Sequence, residues 1–218
     1  MKLLNKMIVK ALAGSALLSV AGSTLATEVT VQASTTVDNA IDLTVAGTLN
    51  FGTVRAVVGS ADGDCAGLTL PAEDGQPLEA ASGTAFTAAC TAPSDAVLIA
   101  VDNSVERPEF TVAGLAPFTN VTLSAINGGT DGRLEITGAP STIPWFVLTD
   151  WTAYQSSGFS PAAIDLTTTG NIAADSNGEI VFTVGATLQT AATPTTDGIT
   201  AAYQEEAHEG EFTVEVVY

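Results

Sequence analysis

Residues 210–218 read G-E-F-T-V-E-V-V-Y. In an extended chain, Phe212, Val214, Val216 and Tyr218 share one face, and Thr213, Glu215 and Val217 share the other. A period of two, rich in β-branched and aromatic residues, is the pattern of a half-buried β-strand. A strand placed at the end of the chain predicts closure of a β-domain, because a terminus frays unless it is tied into a sheet.

Working back from it, the same alternation recurs. It predicts strands at 27–33, 40–46 (A-I-D-L-T-V-A), 48–58 with a kink at Gly52, 84–90, 96–101, 109–113, 120–126, 133–137, 145–148, 163–167 and 179–188. The Asp175-Ser176-Asn177-Gly178 run reads as a hairpin turn, since Asn-Gly supplies positive φ readily. Residues 199–207 are the one piece with any helical character. Many short strands separated by turn residues make an all-β antiparallel sandwich with long loops. Two segments interrupt the rhythm: a Gly-, Asp- and Pro-rich loop over 59–82, and D-W-T-A-Y-Q-S-S-G-F-S-P over 150–161, read as an insert.

The first 26 residues have the three parts of a secretory signal peptide. Lys2, Lys6 and Lys10 precede an apolar run over 11–22, and Thr24-Leu25-Ala26 gives a small-x-small cleavage site. The apolar run is short for a membrane span, which needs about 20 residues, and no later stretch of the mature chain is long and apolar enough. The expected product is a secreted protein, extracellular or on the surface of a bacterium, exported through the periplasm if the cell is Gram-negative. Residues 27–37 form an N-terminal extension and 38–218 the sandwich domain.

Cleavage removes every lysine and leaves Arg55, Arg107 and Arg133 against 24 acidic residues, a net charge of −21. Such a surface repels phosphates, so nucleic acid is not an expected partner; it also repels anionic membranes. Cys65 and Cys90 are the only cysteines. In an oxidising compartment they most simply form one disulfide. The loop it closes, 25 residues apart in sequence, is worth about 3.5 kcal/mol by chain entropy.

Chemistry is thinly represented. His208 is the single histidine, and no G-x-S-x-G elbow supplies a nucleophile. The flanking Glu205, Glu206 and Glu209 place His208 in a solvated acidic loop. One histidine cannot make a multi-histidine zinc site. Calcium is the one inorganic option, through Asp62-Gly63-Asp64 or 175–179, but neither completes a calcium-loop pattern. No enzyme activity, cofactor or metal is expected. Trp145, Phe146, Trp151, Tyr154 and Phe159 concentrate aromatic area in an aromatic-poor chain. Exposed, Trp145, Trp151 and Tyr154 would stack on sugar rings; buried, they would plug one end of the sandwich.

Four stretches, in order, resemble the motifs of a secreted bacterial, pilin-like β-sandwich family of unknown function. They are 48–54 (T-L-N-F-G-T-V), 110–114 (F-T-V-A-G) with 120–123, 182–188 (F-T-V-G-A-T-L) and 210–218. The resemblance covers roughly 28–218 and implies an immunoglobulin-like or pilin-like sandwich with no enzyme activity. The cysteine loop and 142–161 depart from its pattern. It further implies a structural subunit of an extracellular filament or fimbria that associates with itself by donor-strand exchange. Val29, Val31 and Ala33 would be the donor side chains, and Phe212, Val214, Val216 and Tyr218 would mark the acceptor edge. The alternative is a monomeric adhesin or carbohydrate-binding module, using the aromatic stretch on a surface glycan or another cell-surface protein.

Overall fold

The computed structural model describes residues 41–91, 95–127, 132–166 and 170–218. Among these residues, thirteen strands and one short helix follow in order: β1 (Asp42–Ala46), β2 (Val54–Val57), β3 (Gly67–Leu70), β4 (Glu79–Ala80), α1 (Thr84–Ala89), β5 (Val97–Ala100), β6 (Glu109–Ala113), β7 (Asn120–Asn127), β8 (Arg133–Leu134), β9 (Phe146–Ser157), β10 (Ala162–Ile164), β11 (Gly170–Ala173), β12 (Ile180–Thr190) and β13 (Thr213–Val217). The fold is nearly all β, antiparallel throughout and sandwich-like. Cys65 and Cys90 are joined, their Cα atoms 5.2 Å apart.

Two long strands form a spine. β12 pairs with β9 along almost its whole length. On its other side β12 meets β6 through Ile180–Thr183 and β3 through Ala186–Gln189. Shorter strands complete each half: β1 beside β6 and β10 beside β9 in one, β4 beside β3 and β8 beside β9 in the other. Each half has its own cover. The sheet β11-β7-β13 lies over the first, and the two-stranded sheet β2-β5 over the second.

Two cores result. Ile180, Phe182 and Val184 of β12 join Phe110, Val112, Val121, Leu123 and Ile172 in the first. Ala186 and Leu188 join Phe51, Leu70, Leu98, Phe146 and Leu148 in the second. Alternate residues of β12 therefore serve both cores, as a period of two requires. Phe182 is fully buried and stacks on Phe110 at 5.2 Å; burying one such ring is worth about 1.5–3 kcal/mol.

The opposite face of β12 is buried as well, where the chain leaving β3 crosses it at Pro71 and Ala72. The Thr183 hydroxyl donates to the Ala72 carbonyl at 2.6 Å, and the Thr69 and Thr187 hydroxyls meet at 2.7 Å. A Cβ on Gly185 would lie 2.2 Å from the Leu70 carbonyl oxygen, so only glycine permits that crossing. Arg107 fixes the loop from the side, donating from Nε to the Pro71 carbonyl at 2.6 Å.

The structure differs from the sequence expectations in several places: 67–70, read as part of a loop, is a strand, and the 48–58 strand is confined to 54–57. Residues 84–89 are helical, not a strand. The helix follows from two long-range ties: the Asp150 carboxylate accepts the Ala85 and Phe86 N–H groups at 2.8 Å each, and Cys90 is anchored to Cys65. Residues 150–157 are no insert but the second half of β9. The 175–178 turn forms, with the Asp175 carboxylate accepting the Asn177 and Glu179 N–H groups, yet it joins two sheets instead of closing a hairpin. Residues 199–207 are not helical; the nearby turn lies at 194–198.

Candidate functional site

The C-terminal strand occupies an edge. β13 pairs with β7 from Thr213↔Asn127 to Val217↔Thr122, with a bulge between Glu215 and Val216. Among the described residues, no strand pairs with its other side. Phe212, Val214 and Val216 point into the first core, Phe212 lying 6.3 Å edge-on to Phe110 and 5.1 Å from Trp151. Tyr218, one residue past the strand, is 60 % exposed. Val29, Val31 and Ala33 lie outside the described residues.

β1, at the matching edge of the main sheet, is exposed along all five residues. Leu43 and Val45 pair across from Val112 and Phe110, so they point to the core side. They nevertheless remain open to solvent, Val45 at 59 %. An edge strand with uncovered apolar residues is a template for further pairing, and proteins ordinarily blunt it.

A cleft of about 790 Å³ opens between the second core and the segment 203–208. Residues 49–56 line one side and 203–208 the other, with Leu134, Phe146 and Leu188 also lining it. Tyr203 anchors the second wall. Its ring stacks on Phe146 at 4.5 Å, and its hydroxyl donates to the Trp145 carbonyl while accepting the Ala191 N–H. Burial raises the Tyr203 phenol well above its ordinary range. A two-way backbone bridge between Glu135 and Glu209 pins the segment beyond.

His208 is half-buried in this wall, correcting the expectation of a solvated loop residue. Its ring lies edge-on to Phe146 at 5.0 Å, and its Nδ1 sits 3.1 Å from the Glu206 carbonyl. Nδ1–H donates to that carbonyl, and among the described residues the buried Nε2 has no hydrogen-bond partner.

The aromatic stretch is distributed through the domain. Trp145 is buried, with the Arg133 guanidinium 4.1 Å over its ring. Trp151 packs against both cores. Tyr154 is half-buried in β9. Of the five, Phe159 alone is largely exposed; it meets Phe118, also exposed, edge to face at 6.1 Å.

The acidic turns use their carboxylates internally. Hydrogen bonds to the Asp62 carboxylate, first the side-chain ones with Thr195 and Thr196 and then those from their N–H groups, hold it at about 2, below the ordinary 3.8. Among the described residues, no group of three or more His, Cys, Asp or Glu is placed to hold a metal ion. No helix among them is long and apolar enough to cross a membrane.

The cleft was not visible as a site in the sequence. Its walls are more than 140 positions apart, and Q-E-E-A-H over 204–208 carries no periodicity. Comparison with protein-family models, with curated proteins and with solved structures gives no match.

Proposed function

We propose that this protein is a secreted, non-enzymatic structural subunit of a bacterial surface filament, whose copies join by adding an extended segment of one to an open strand edge of the next. The observation that carries this reading is an edge strand seated on core side chains: Val214 and Val216 are packed inward while, among the described residues, no strand other than β7 pairs with β13. Strand addition of this kind draws its affinity from main-chain hydrogen bonds and its specificity from alternate side chains. Export follows from the signal-like residues 1–26, and the donor candidate is the uncharged alternation Val29, Val31, Ala33.

The test is negative-stain microscopy of the purified mature protein beside a variant lacking 27–37. Filaments are expected from the first and only dispersed domains from the second, with the thermal melt of the domain retained. Filaments of unchanged length from the deletion variant would sink strand exchange. A mature protein that stays monomeric at millimolar concentration would sink the structural role.

A further inference from the structure

The filament reading leaves open which edge receives the incoming segment, and the inference here rests on that reading. We propose that the receptor is the cleft beside β2, and that its occupant is the 29–37 segment of a second copy, bound as a third strand next to β2.

The β2-β5 ladder fixes where the backbone of β2 points. Val54 pairs with Ala100 and Ala56 with Leu98, while the Val101 N–H donates to the Thr53 carbonyl at 2.8 Å. In an antiparallel pair, hydrogen-bonded and non-hydrogen-bonded residue pairs alternate. Arg55 and Val57 therefore spend their backbone groups on β5, while the Thr53 N–H donates to the Asp102 carboxylate. The N–H and C=O groups of Val54 and Ala56 point to the other side of β2, and both residues line the cleft. An extended segment entering there meets a ready set of donors and acceptors.

Beneath it lies core. Leu134, Phe146 and Leu188 reach the cleft from β8, β9 and β12, and the side chains of Val54 and Ala56 pack on the same cluster. A strand laid along β2 thus places every second side chain against apolar surface, which is the main source of free energy in association. β13 differs in this respect. Its own Phe212, Val214 and Val216 already occupy the space over Phe110 and Trp151. Pairing at β13 adds backbone bonds with less apolar area to bury.

Charge selects the occupant. Glu205 and Glu206 stand on the opposite wall and disfavour an acidic segment. Residues 29–37 read V-T-V-Q-A-S-T-T-V, with no charge, and Val29, Val31 and Ala33 alternate with polar residues. The side chains are small enough to enter a cleft whose walls are already ordered. Residues 27–40 extend up to about 46 Å at 3.3 Å per residue, long enough to reach a neighbouring copy.

Mature protein carrying Val31→Cys is mixed with mature protein carrying Ala56→Cys and mildly oxidised, beside a parallel mixture of Val31→Cys with Val216→Cys. A covalent dimer is expected from the first mixture at several times the yield of the second. If only the Val216 mixture couples, strand exchange stands and the β2 site is wrong. If filaments form and neither mixture couples, the β2 site is equally wrong. Coupling confined to single copies that carry both Val31→Cys and Ala56→Cys would overturn joining between copies. Absence of both filaments and coupling defeats the filament reading itself. A second variant, Ala56→Pro, removes the N–H that faces the cleft without touching the β5 ladder. It should lower association about tenfold, as loss of one main-chain bond predicts, while the melt of the domain stays near wild type. Undiminished association with a folded Ala56→Pro domain would also refute the site.

Discussion

Asp150 is where one residue ties sheet to loop, and its replacement separates two energies. It is the extra residue of a bulge in β9: Gly185 faces Thr152 and Thr187 faces Thr149, so Asp150 and Trp151 together oppose Ala186. Its φ is +46°, a left-handed conformation that costs most side chains about 1–2 kcal/mol and Asp or Asn less. Its carboxylate accepts the Ala85 and Phe86 N–H groups, acting as the cap that Gly83 cannot supply. A Cβ on Gly83 would sit 2.2 Å from the Asp150 carboxyl carbon, so the cap depends on glycine there. Loss of a cap costs about 0.5–2 kcal/mol. Asp150→Ala loses the cap and keeps an unfavourable φ, which together cost about 2–3 kcal/mol. Asp150→Gly loses the cap but relieves the backbone, for a net cost of about 1 kcal/mol. Asp150→Asn retains an acceptor and tolerates the φ, costing about 0.5 kcal/mol. Urea unfolding followed by tryptophan fluorescence should rank the variants Ala, Gly, Asn from least to most stable. A melting point about 5–9 °C below wild type is expected for Ala in a domain of this size. An alanine variant within about 0.5 kcal/mol of wild type, inside the range of ordinary surface changes, would refute the cap. Equal costs for Ala and Gly would refute the claim that φ contributes.

Two further outcomes follow from the cysteine loop. Replacing Cys65 and Cys90 together by serine should destabilise the domain by about 3.5 kcal/mol through the lost loop constraint, measured by urea unfolding with and without reductant; a reductant-insensitive wild type would contradict it. Asp62 is held near 2 by hydrogen bonds, first from Thr195 and then from Thr196. A depressed carboxylate stabilises the fold above its unfolded value, near 3.8, and that contribution is lost as pH falls toward 2. Thermal melts between pH 5 and 2 should therefore fall less steeply for Asp62→Asn than for wild type, and parallel curves would remove Asp62 from the account.

How legible the fold was depended on whether its causes were local. The alternation at 212–216 and 180–188 survives in the structure because each strand keeps one face on a core throughout. The same rule failed in β9. Its inward residues are Phe146 and Leu148 before the bulge, then Trp151 and Ala153 after it. One extra residue at Asp150 shifts the phase by one, and a shifted period of two reads as no period at all. The helix at 84–89 misled for a related reason. T-A-F-T-A-A has little intrinsic preference, and its cap lies 64–65 positions away on β9. The edge position of β13 follows from pairings that no single stretch encodes.

The same distinction bears on the site. β12 is buried on both faces, yet one face is polar: Thr183, Thr187 and Gln189. Such residues enter a core only where partners await them, and the cysteine loop brings the Ala72 carbonyl and the Thr69 hydroxyl to two of them. The stretch that the Cys65–Cys90 disulfide closes therefore supplies two strands of the main sheet, β3 and β4, and sends Pro71 and Ala72 across the back of β12. If copies join as proposed, the surfaces open to it include the β1 and β13 edges and the cleft beside β2. Of these, the cleft unites an open strand edge, an apolar floor and the side chains of Glu205 and Glu206 on its far wall. Those three properties together make a neutral segment such as 29–37 the fitting occupant.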